Sequence, residues 1–115
     1  MPYDEVLADR VRSIVGALHS GPVEEKRMFG GLALMLNGNM AVVVRGRGGL
    51  MVRVDPTETN AFAAEPGAEA TEMRGRTMRG WISVSPDVLA KDTDLRRWVK
   101  RGVSFTATLS RPKSR

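Results

Sequence analysis

The chain has 115 residues, the length of one domain that can bury a core without covalent staples. It has no cysteine, which excludes a disulfide scaffold, a thiol nucleophile and a zinc–cysteine centre. A formal net charge of +5 favours anionic partners such as nucleic acid or acidic protein, or else only keeps an arginine-rich surface hydrated.

Residues 4–19 are predicted as a helix. Leu7, Val11, Ile14, Val15 and Leu18 recur at spacings of three and four and form one apolar stripe, and Ser20-Gly21-Pro22 stops it. Residues 23–27 read as a polar link. Met28-Phe29-Gly30-Gly31 then leads into residues 32–36, where Leu32, Leu34 and Leu36 alternate onto one face of a strand. Asn37-Gly38-Asn39 is a tight-turn signal, because Asn and Gly accept positive φ. A strand over 40–47, a glycine-rich turn over 46–49 and a strand over 50–54 complete a three-stranded antiparallel meander.

Asp55-Pro56-Thr57 opens a short helix reaching about Ala64, with proline at its first position, and Pro66-Gly67 breaks it. Residues 71–78 read as a fourth strand with Met73 inward, residues 80–84 as a fifth, and Ser85-Pro86-Asp87 as a turn. The last helix starts with Asp92 or Thr93 as its cap, buries Leu95, Trp98, Val99, Gly102 and Val103, and runs to about Leu109. Residues 110–115 are a short basic tail, expected to fray. The expectation is one α+β domain over 1–115: helix, three-stranded meander, helix, two strands, helix, packed as a two-layer sandwich. No stretch is long and apolar enough to span a bilayer, and the acidic start lacks the order of a signal peptide, so a cytoplasmic protein with no membrane partner is expected.

Arg27-Met28-Phe29-Gly30-Gly31 before an apolar strand resembles the signature of the TfoX N-terminal domain family. So do Leu50-Met51-Val52-Arg53-Val54 with the helix that follows, Trp81 on a late strand, and Leu95 to Lys100 on the last helix. The likeness runs from roughly Asp4 to Leu109. It implies a fold like that of the secretion chaperones, with the same element order. It also implies kinship with regulators of natural competence, which act as transcriptional co-activators rather than enzymes and carry a second, C-terminal domain. The resemblance supplies no catalytic residue and no cofactor.

Several groups of residues have both a functional and a structural reading. Gly30 and Gly31 behind Met28 and Phe29 suggest a phosphate-cradling loop, but such loops precede a helix and here a strand follows. The alternative is a backbone bend with Phe29 filling core. Alternation puts Val42, Val44, Leu50, Val52 and Val54 on one sheet face and Val43, Arg45, Arg47, Met51 and Arg53 on the other. If helices cover the aliphatic side, Arg45, Arg47 and Arg53 form a basic face suited to phosphate or carboxylate. The alternatives are a solvated face or a homodimer contact with Met35 and Met51 between protomers.

Arg74, Arg76 and Arg79 make a second basic run, and Arg96, Arg97, Lys100 and Arg101 a basic side on the last helix, which equally suits an ordinary wet helix face. Trp81 and Trp98 could stack a ligand or anchor the core. His19 is the only histidine and the carboxylates form no evident pair, so no catalytic or metal site is expected. Two functions remain open: a regulatory or adaptor domain working through protein–protein contact, and direct binding of nucleic acid or another anion. An unrecognised enzyme is the third reading.

Overall fold

The computed structural model describes residues 3–28 and 30–112. Helix α1, Glu5–Leu18, is capped by Asp4, whose side chain accepts a hydrogen bond from the Leu7 N–H at 3.1 Å. Strands β1 Val23–Met28, β2 Gly31–Leu36, β3 Asn39–Val44 and β4 Leu50–Arg53 follow. A 3-10 turn, Pro56–Glu58, leads into α2, Thr59–Ala63; then come β5 Ala68–Met73, β6 Arg76–Val84, α3 Pro86–Leu89 and α4 Asp92–Thr106. All strands pair antiparallel in one six-stranded sheet of order β1-β2-β3-β4-β6-β5. The chain has an α+β fold.

The helices lie on one face of this sheet. Leu7, Val11 and Val15 of α1 and Leu95, Trp98, Val99 and Val103 of α4 share one buried cluster with Leu32, Leu34, Leu36, Val42, Val44, Leu50, Val52 and Ile82. The expected alternation over 32–36, 42–44 and 50–54 is what brings these aliphatic side chains under the helices. Helix α4 approaches β3 closely at Gly102, where a Cβ would meet the Ala41 carbonyl oxygen at 2.9 Å and methyl carbons of Val42 and Val52 near 3.0 Å. The Phe62 and Trp98 rings meet edge to face, and Arg101 lies over both, 4.4 and 4.5 Å from their centroids, with its fork on the Glu65 carboxylate at 2.9 Å. It joins α2 to α4 over the core edge.

Several expectations need correction. The polar link over 23–27 is strand β1, pairing with β2 along its whole length. Only Val23 and Met28 are half-buried, and Glu24, Glu25, Lys26 and Arg27 point charged side chains outward, so a sheet edge erased the apolar alternation that marks a strand. The meander therefore has four strands.

Residues 71–78 are not one strand but two halves of a hairpin. Arg74 and Gly75 turn the chain with φ of 53° and 77°, and the expected fifth strand, 80–84, is the second half of β6. The turn over 85–87 continues as α3, with Ser85 accepting from the Asp87 N–H. Helix α4 has Lys91 at its cap position, with no side-chain cap bond, and ends at Thr106. Leu18 is 37% exposed, beyond the buried stripe. The frayed-tail expectation for 113–115 and the core role expected of Phe29 lie outside the described residues.

Candidate functional site

The sheet face opposite the helices carries a second apolar cluster. Ala33, Met35, Val43 and Met51 are buried there, with Met28, Met40 and Trp81 packed around them. Cross-strand register explains the grouping: Lys26 faces Ala33, Ala33 faces Val43, Val43 faces Met51, and Met51 faces Ser83. A register shift between Leu34 and Met35 brings Met40 opposite Met35. Met35 and Met51 are only 8% and 6% exposed within one chain. Met28, Met40 and Trp81, each half-buried, are the apolar groups that this face offers to a partner instead.

Strand β3 ends at Val44, so Arg45 and Arg47 belong to the turn that joins it to β4 rather than to the strand. That turn is closed by hydrogen bonds from the Arg45 N–H to the Gly49 carbonyl and from the Gly48 N–H to the Arg45 carbonyl. Arg45, Arg47 and Arg74 together line a cavity of about 330 Å³ whose apolar wall is Val43, Met51 and Met73. Three interstrand steps separate β3 from β5, about 14 Å in a flat sheet. They reach one cavity where the β5–β6 pairing slips between Ala70–Ile82 and Glu72–Thr77, so that Thr71 alone on β5 stands against residues 78–81 of β6 and the sheet bends. Behind the bend, the Thr71 and Ser83 hydroxyls hydrogen-bond each other at 2.8 Å in a buried position. Glu72 also lines the cavity, and Glu69 lines a smaller neighbouring one with Arg45 and Ser83.

The remaining basic residues singled out in the sequence are placed differently. Arg53 pairs across the sheet with Trp81, its guanidinium carbon 5.7 Å from the ring centroid, and does not line the cavity. Arg76 is exposed on the hairpin and stands outside the cavity too. On α4, Arg97 pairs with Asp94 at 2.6 Å and Arg101 with Glu65, so that helix is partly neutralised. Arg12 joins α1 to β1 through Glu25, at 2.7 and 3.0 Å, and also pairs with Asp9 of its own helix, and these carboxylates push its already high pKa upward despite some opposing desolvation.

Trp98 is wholly buried in the main core, whereas Trp81 is half-buried on the open face. Gly30 and Gly31 have separate backbone reasons. Gly30 adopts a φ of 72° with nothing close to where a side chain would stand, and a Cβ on Gly31 would run into the Val44 carbonyl oxygen. The grouping of Arg45 and Arg47 with Arg74 was missed in the sequence, and the signal for it, Arg74-Gly75 as a positive-φ pair, is weak because arginine is uncommon there.

Among the described residues no helix is long and apolar enough to cross a membrane. None of their His, Asp or Glu side chains gather in a group of three or more able to hold a metal ion. No curated protein matches the chain. The TfoX N-terminal domain matches residues 16–106, from the last turns of α1 to the end of α4, and the chain belongs to that family.

Proposed function

We propose that this chain is a non-enzymatic, cytoplasmic regulatory adaptor of the TfoX kind, contributing to transcriptional control such as competence by binding another protein. The observation that carries this reading is the apolar cluster on the sheet face that no helix covers among the described residues. Met28 and Met40 supply an adaptable apolar surface, and Trp81 with Arg53 over its ring is the residue pairing common at energetically dominant contact points. A second copy of the chain is one candidate occupant, since it would bring an equally apolar face.

Affinity capture from native extract tests the reading, with wild type compared to Trp81→Glu. A specific partner retained by wild type and depleted about tenfold by the variant is expected. Equal retention, or no specific partner, overturns it. Light scattering across a concentration series reports whether that partner is a second copy. The convergence of Arg45, Arg47 and Arg74 supports a second reading, anion binding at the same face, for which nucleic acid is one ligand.

A further inference from the structure

We propose that the cavity between the β3–β4 turn and the β5–β6 hairpin binds a small phosphomonoester of mononucleotide size. The phosphate would lie on Arg45, Arg47 and Arg74, and the flat body against the apolar side, where Met73 is half-buried in front of the buried Val43 and Met51. This rests on the anion-binding reading and names its ligand class.

Three guanidinium groups face the cavity against one carboxylate, Glu72. Among the described residues none of the three arginines forms an ion pair, whereas Arg10, Arg12, Arg97 and Arg101 each do. Arg45 is moreover half-buried. A desolvated, unpaired guanidinium is unfavourable unless an anion completes it, and planar forks match phosphate oxygens in pairs. The cavity lining carries a surplus of two positive charges, reduced to one by the neighbouring Glu69, and suits an anion with oxygens enough for more than one fork.

The cavity volume of about 330 Å³ lies within the range of small-molecule sites and is far short of an extended nucleic-acid groove. One side of its wall, Val43, Met51 and Met73, is apolar, which gives an aromatic base a surface that a bare sugar phosphate would not use. Glu72 and Glu69 lie beside the arginines as acceptors for ligand hydroxyl or amino groups. They also repel a strand of further phosphates, so the site selects one terminal phosphate rather than a polyanion.

The test is titration of the full-length chain, observed by two-dimensional amide NMR and by calorimetry at low salt. The probes are AMP, adenosine, inorganic phosphate and a 5′-phosphorylated single-stranded oligonucleotide. AMP should shift the amides of residues 43–51 and 71–74 saturably, with adenosine and phosphate each at least about tenfold weaker. Arg45→Gln with Arg74→Gln should weaken AMP by at least about tenfold at unchanged Tm, and Arg96→Gln should not weaken it. If the double variant melts early, Arg47→Gln, at an exposed position, serves instead, with the same direction of effect.

Adenosine binding as well as AMP overturns the proposal, as does equal weakening by Arg96→Gln. An oligonucleotide at least about tenfold tighter than AMP, with steep salt dependence, overturns the mononucleotide but leaves the anion reading standing. No saturable shift with any probe up to about 10 mM overturns both.

Discussion

Alanine at Gly31 and alanine or asparagine at Gly30 should separate two reasons for a glycine pair. A Cβ on Gly31 meets the Val44 carbonyl oxygen and approaches the Arg45 Cα to 3.2 Å, and both are backbone atoms that cannot rotate away. The ends of β2 and β3 must part. Overpacking of this kind costs about 1–3 kcal/mol, offset by about 0.5–1 kcal/mol from the reduced freedom of the unfolded chain. The net loss is about 1–2 kcal/mol, or a Tm lower by about 5–10 °C.

Gly30 is the opposite case, with open space but a φ of 72°. Gly30→Ala should cost about 1 kcal/mol in left-handed strain, and Gly30→Asn less than about 0.5 kcal/mol, because asparagine tolerates that region. Thermal and urea melts of the three variants decide it. A Gly31→Ala protein as stable as wild type, or a Gly30→Asn protein less stable than Gly31→Ala, refutes the backbone argument.

Further outcomes follow from the polar contacts. Thr71→Val strands the buried Ser83 hydroxyl and should cost about 1–2 kcal/mol in urea melts, while the double change Thr71→Val with Ser83→Ala should cost less than the single one. Arg101→Lys should lower Tm measurably, because lysine keeps the charge but loses both the stacked plane and the paired fork to Glu65. Asp55 accepts from the N–H and then the hydroxyl of Thr57, which holds its carboxyl below the ordinary 3.8. A lowered folded value contributes stability present above the unfolded value and lost as pH falls through the folded one. Asp55→Ala should therefore melt below wild type at neutral pH, with the two curves converging in acid below 3.8.

The sequence was readable where side chains alternate or repeat against a core. Leu32, Leu34 and Leu36 announced β2, and Leu95, Trp98, Val99 and Val103 announced α4. Asn37-Gly38, with φ of 51° and 81°, was legible as a turn, but Arg74-Gly75 adopts nearly the same angles and was not, because arginine carries no local preference for them. Strand β1 was invisible since an edge strand with both side-chain rows wet has no apolar period to detect.

The basic site was half-legible for a related reason. Face alternation assigned Arg53 to it, yet Trp81 on the neighbouring strand holds that side chain, and cross-strand neighbours depend on a strand order that no local pattern encodes. Arg74 shares a cavity with Arg45 across a slip in the β5–β6 register that no local pattern announces.

The charged outer margin of β1 also bears on how copies of the molecule can associate. Glu24, Glu25, Lys26 and Arg27 present two anions and two cations in succession along a backbone row that has no neighbouring strand among the described residues. A second chain laid in register would set like charges opposite one another in a parallel arrangement, and in any arrangement would strip water from side chains that gain no core in return. Parallel lateral growth is discouraged at this margin, whereas an antiparallel copy would set Glu24 against Arg27 and Glu25 against Lys26.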